Sequence, residues 1–119
     1  MRLERMRRVQ AAEALVAEVD GLLSRAKARA PKPADHLERS ADSVLFNMAE
    51  GVGAFKPKVK TGAYEVARKE ANEVRAVLRR LVLKRVFTEP QVRKAYNLPG
   101  ACVGMLTNAI IALENRPDP

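Results

Sequence analysis

The sequence predicts an all-α protein, an antiparallel up-down four-helix bundle, on three observations. Four segments carry apolar residues at steps of three and four, and each break between them holds proline, glycine or a capping residue. Hydrophobic residues make up 47% of the chain but aromatics only 4%, with no Trp, so the core must be aliphatic and Ala-rich, which suits close-packed helices better than sheets. At 119 residues, positions 1–119 amount to one domain with a single core and no room for a separate substrate domain.

The first helix is expected over about residues 3–30, where Met6, Val9, Ala12, Val16, Val19, Leu23 and Ala26 form a seam that Leu15 and Leu22 widen. Pro31 and Pro33 should end it, leaving Lys32 in a linker, because proline lacks the amide donor and restricts the residue before it. The second helix should start near Ala34 or Asp35, with Asp35 satisfying first-turn amides, and bury Leu37, Ala41, Val44, Leu45 and Met48 up to Gly51 and Gly53. Residues 52–60 are rich in Gly, Pro and Lys and read as the main exposed, mobile loop.

Thr61 is placed to cap a third helix running to about Val86, with Ala63, Ala67, Ala71, Val74, Leu78 and Leu81 in line and Val66, Val77 and Val82 beside them. Thr88-Glu89-Pro90 is a helix-start signature. The fourth helix places Val92, Tyr96, Val103, Leu106, Ile110 and Leu113 on one side, with a kink or short break expected at Pro99 and Gly100. Asn115 to Pro119 reads as a short tail, and four helices joined by short loops give antiparallel neighbours.

The composition also excludes functions. The basic start, with Arg2, Arg5, Arg7 and Arg8, runs into Gln10, Glu13, Glu18 and Asp20, so it is neither a secretory signal nor a membrane span. A lone Cys102 makes no internal disulfide or metal site, as befits a reducing cytoplasm, and no cofactor or metal is expected. His36 and Cys102, the only such residues, lie on different expected helices, with no Gly-rich phosphate loop, so no enzyme is expected. His36 reads as a first-turn surface residue and Cys102 as a small core or interface side chain.

Ser40, Ser43, Asn47 and Glu50 form a polar line on the second helix. It serves as a solvated face, as hydrogen bonding across a helix or subunit contact, or as a ligand site. The run Arg39-x-Ala41-x-Ser43-Val44-x-x-Asn47-Met48-Ala49-Glu50-Gly51 resembles the signature of the bacterial four-helix-bundle proteins encoded in intervening sequences of large-subunit ribosomal RNA genes. Tyr64-x-x-Ala67-Arg68 and Glu73 are similar to that family's third-helix segment, so the resemblance spans about residues 9–114. The chain departs from the pattern at Glu38, at Asp42 and in its Lys56 to Lys60 loop.

The resemblance implies a four-helix bundle, a ring-like homopentamer and a positive surface for nucleic acid, RNA foremost. The accessory proteins of diversity-generating retroelements are structural relatives of that family, which makes a scaffold for a reverse transcriptase the alternative role.

The residues independently favour nucleic acid, since the formal net charge is +8. From residue 75 to 85 there are five cations, Arg75, Arg79, Arg80, Lys84 and Arg85, and no acid, and Arg68, Arg75 and Arg79 share a stripe. A second group, Lys56, Lys58 and Lys60, surrounds Phe55, where ammonium groups meet phosphates and a ring stacks on an unpaired base. The N-terminal arginines form a third. Without helix-turn-helix spacing, zinc ligands or an aromatic RNA-binding sheet, the expected mode is phosphate contact without base readout. The competing reading is a protein-interaction module whose charge serves solubility; it should intersperse signs, as Glu65, Lys69 and Glu73 do.

Overall fold

The computed structural model describes residues 2–115, and nearly all of them are helical. The order is α1 Arg2–Arg29, α2 Pro31–Gly53, α3 Pro57–Leu83 and α4 Glu89–Glu114. Each helix packs on the next and α1 closes on α4. Partner numbers run in opposite directions across every seam: Arg79 meets Glu89 while Arg68 meets Thr107, His36 meets Glu73 while Gly51 lies under Tyr64, Lys27 meets Glu38 while Val9 shares a cleft with Val52, and Glu18 meets Lys94 while Arg8 shares one with Ala109. The bundle is therefore antiparallel, a rod of 51 × 22 × 18 Å.

Helices α2 and α3 start earlier than the sequence predicts, for one physical reason, while α3 stops at Leu83, short of the expected Val86. Pro31 and Pro33 do not form a linker but open α2, because proline at the first helical positions lacks only an N–H that has no partner there anyway. Lys32 is therefore helical, and Ala30 alone separates α1 from α2. Ala30 is the N-cap and makes no side-chain cap, so Asp35 sits a turn too late for that role, and His36 lies beyond the first turn. Pro57 opens α3 likewise, which shrinks the expected 52–60 loop to residues 54–56 and leaves Thr61 inside the helix.

The α4 start follows the prediction: Thr88 is the N-cap, and its backbone N–H donates to Gln91 Oε1 at 2.9 Å. The break expected at Pro99 and Gly100 is absent, and the helix runs through both. Pro99 forfeits the bond to the Ala95 carbonyl, but its ring is buried in the core.

The core is aliphatic as expected, with Leu15, Leu37, Leu78, Leu81 and Leu106 at 0% exposure, each stabilising by about 1.5–3 kcal/mol. Two stripes differ in part. In α1 Ala12, Leu15, Val19, Leu23 and Ala26 are buried while Met6 is exposed; in α4 Val92, Leu106 and Ile110 are buried as expected and Ala95, Pro99, Cys102 and Ala109 join them, leaving Tyr96 and Val103 at the edge. Helix α4 is also the one described helix long and apolar enough to cross a bilayer, and here its stripe of small residues is core. Of the expected tail, the residues after Asn115 lie outside those described.

Candidate nucleic-acid interface

A helix turns about 100° per residue, so a run of cations on α3 is divided among its faces. Arg68, Arg75 and Arg79 do share a stripe, and it faces α4. Arg68 Nη1 donates to Thr107 Oγ1 at 3.4 Å, and Arg79 pairs with Glu89 at 3.2 Å. Arg75 is half-buried, its guanidinium 4.8 Å from the Tyr96 ring centroid and its Nη2 donating to the Tyr96 hydroxyl at 3.5 Å. Arg75 Nε is buried with no partner among the described residues. The acid missing from residues 75–85 is thus supplied in part by α4.

Arg80, Lys84 and Arg85 point elsewhere and are exposed, and none makes an ion pair or side-chain hydrogen bond among the described residues. They sit where α3 ends. The Arg85 N–H donates to the Val82 carbonyl at 2.9 Å and the Val86 N–H to the Leu81 carbonyl at 3.0 Å, a double closure of the helix C-terminus that requires a left-handed residue between. That residue is Arg85, with φ of 61°, the one non-glycine residue with positive φ among those described. Glycine is the usual occupant, since a Cβ is disfavoured in this conformation.

At the opposite end the second and third basic groups converge. Arg5, Arg8 and Lys60 line one cleft with Glu4, Tyr64 and Leu113. Arg8 lies 5.5 Å from the Tyr64 ring centroid and donates to its hydroxyl at 3.3 Å. Lys60 Nζ reaches back to the Gly51 and Val52 carbonyls, at 2.8 and 3.1 Å, and so caps the negative end of α2. Lys56 and Lys58 are exposed beside Phe55, whose side chain is 98% exposed.

The motif residues divide in the same way. The polar line does not keep to one side, because steps of three fall short of a turn: Ser40 is buried, Ser43 and Asn47 are half-buried, and Glu50 is exposed. Asn47 Nδ2 donates to the Ser43 carbonyl and hydroxyl at 2.9 and 3.1 Å. Gly51 lets the Tyr64 ring rest on the helix, since a Cβ there would stand 2.5 Å from Tyr64 Cε1. Of the five motif residues Arg39, Ser43, Asn47, Glu50 and Gly51, only Arg39 and Glu50 point outward without an intrachain partner among the described residues.

Arg39 opens a groove that sequence reasoning missed. Between α2 and α3, Lys32, His36 and Arg39 face Glu73, Ala76 and Arg80 around about 440 Å³ of open space, with Pro33 and Val77 beneath. His36 Nε2 lies 3.2 Å from Glu73 Oε2. The available signal was the heptad step from Lys32 to Arg39 and from Glu73 to Arg80, hidden by reading Lys32 as linker. Cys102 is a buried free thiol whose burial pushes its pKa up to about 11, and no group of three metal-ligating side chains occurs among the described residues.

The same architecture occurs in the crystal structure of a protein of unknown function of the S23 ribosomal protein family from Bacteroides thetaiotaomicron. That structure covers 91% of this chain and 98% of its own, with a TM-score of 0.81 and 19% identity. The likeness carries the fold. No curated protein matches the sequence. The model of the 23S rRNA-intervening sequence proteins matches residues 4–108, which include all of α2 and α3, the Arg39 to Gly51 motif and the Tyr64 to Glu73 segment. The chain belongs to the 23S rRNA-intervening sequence protein family.

Proposed function

We propose that this protein is a non-catalytic homo-oligomer, a pentamer by its resemblance, that binds nucleic acid, RNA foremost, through phosphate contacts. The observation that carries this reading is the end of α3. Arg80, Lys84 and Arg85 project there with no ion pair among the described residues, and Arg85 occupies a left-handed position that glycine fills at lower cost. Solubility needs no arginine in a strained turn, whereas phosphate contact gives a cation there a use. Lys56 and Lys58 at the other end add exposed cations next to Phe55. Arg68 and Arg75 support the interface from within, and Arg79 from an exposed pair with Glu89.

Assembly is supported by apolar surface left bare by one copy. Phe46 is 66% exposed and Val59 48%; Val59 and Val66 share one stripe of α3. Ring closure would repeat the α3 ends around an axis and raise avidity. Sedimentation should therefore give a mass several times the 13.2 kDa of one chain.

The binding test is a salt series with a labelled RNA, comparing wild type with Arg80, Lys84 and Arg85 all replaced by Gln. Each single-strand phosphate contact contributes about 0.7 to the slope of log affinity against log salt, so losing three should flatten it by about 2. No binding by wild type at low salt overturns the reading in favour of a protein-interaction scaffold, the class to which a reverse-transcriptase accessory subunit belongs.

A further inference from the structure

The groove between α2 and α3 has a chemistry that phosphate contact alone does not use. Lys32, Arg39 and Arg80 stand around it, none with an ion pair among the described residues, and the one acid on its wall, Glu73, is engaged by His36. Its floor is apolar, formed by Pro33, Ala76 and Val77. Ala76 is exposed and small, and its position between Glu73 and Arg80 opens the floor to solvent.

At about 440 Å³ the groove falls within the range of about 300–1,000 Å³ of small-molecule sites, yet it is open along one side instead of enclosed. A free metabolite is better held by an enclosed pocket. An open groove with cations at its rim and an aliphatic floor suits one unit of a polymer whose chain passes in and out.

We propose that this groove takes one unpaired nucleotide of a bound strand, its phosphate among Lys32, Arg39 and Arg80 and its base laid on Pro33, Ala76 and Val77. The inference rests on the nucleic-acid reading above and adds a preference for single strands. In a duplex the bases are paired and stacked inside, so only phosphates reach the rim and the floor stays empty. The floor itself carries no polar side chain, so the base is held by apolar contact with Pro33, Ala76 and Val77, while His36 and Glu73 on the wall engage each other. Arg39 thereby acquires a task that packing within one chain does not give it.

The test is fluorescence anisotropy with the full chain and two probes, a labelled single-stranded RNA and the same RNA annealed to its complement. Ala76→Leu fills the floor without altering charge, and leucine at an exposed helical site should leave the melting temperature close to wild type. Ala76→Leu should lose about fivefold to tenfold in single-strand affinity while duplex affinity stays within about twofold. Arg39→Gln with Arg80→Gln should weaken both probes, the single strand more.

Equal wild-type affinity for the two probes, or a silent Ala76→Leu, overturns the groove and leaves the phosphate reading standing. Failure to bind either probe removes both. Displacement of the single strand by polyglutamate as effective as by unlabelled RNA would mark the groove as a surface for acidic protein, and also overturns the proposal.

Discussion

Arg75 and Arg80 are five residues apart on α3 and serve opposite ends. Arg75 turns towards α4, stacks on Tyr96 and has one buried nitrogen without a partner; Arg80 turns towards α2 and stands in solvent. The difference follows from five steps of about 100°, which put the two side chains on different faces. A like-charged run in a sequence is therefore not one surface. Its inward members are part of the bundle, and only its outward members are available to a ligand.

The inward side should fail first when disturbed, and its most sensitive point is uncharged. Gly51→Ala places a Cβ against the Tyr64 ring and should destabilise by about 1–3 kcal/mol, read as a lower melting temperature. Tyr64→Leu in the same chain should restore part of the loss by giving the Cβ room. No rescue would mean that the backbone, not the ring, sets the requirement for glycine.

Next in size, Arg75→Ala should cost about 1–2 kcal/mol by removing the Tyr96 stack and the packed stem. Arg75→Met keeps the stem and removes a buried N–H that has no partner, so it should recover much of that. Neither should change RNA affinity per folded molecule. A large loss of affinity with intact stability would place Arg75 on the outward side and break the comparison.

Arg85 sharpens the contrast, because its two contributions have opposite signs. Arg85→Gly should raise stability by about 0.5–1 kcal/mol by relieving the left-handed conformation, while RNA affinity should fall. A variant that gains stability and keeps full affinity would show that Arg85 belongs to neither side.

Much of this was legible in the sequence, and the parts that were not have specific causes. Four helices, the aliphatic core lines of α2 and α3 and the Thr88 start were readable from spacing alone. Pro31 and Pro57 were misread because proline ends one helix and begins the next with the same ring, and only the tertiary course decides which. The α4 stripe was legible at Val92, Leu106 and Ile110 and missed elsewhere, because Ala95, Cys102 and Ala109 are too small to signal burial and Tyr96 is too large to be discounted. For the site, the cations were visible but not their partners: nothing local says that Lys60 bends back to the Gly51 carbonyl, or that Glu89 across a turn engages Arg79.

The smallest expected effect concerns an acid of α2 outside the groove. Burial, then Glu38 and Asp20, hold the Asp42 carboxyl above its ordinary pKa of 3.8. A raised folded-state pKa means that protonation favours the fold, so this contribution is present at low pH and lost as pH rises through the folded value. At pH 7 the ionised Asp42 opposes folding, and Asp42→Asn should stabilise by about 0.2–0.5 kcal/mol, the size of a like-charge pair four residues apart. The gain should shrink as pH falls towards 3.8, where wild type becomes protonated as well. Thermal melts of both chains at neutral and acidic pH decide it, and a gain that does not change with pH would assign the effect to packing. RNA affinity should hardly move, because Asp42 is not among the side chains that line the groove of Arg39 and Arg80, and Glu38 is engaged by Lys27.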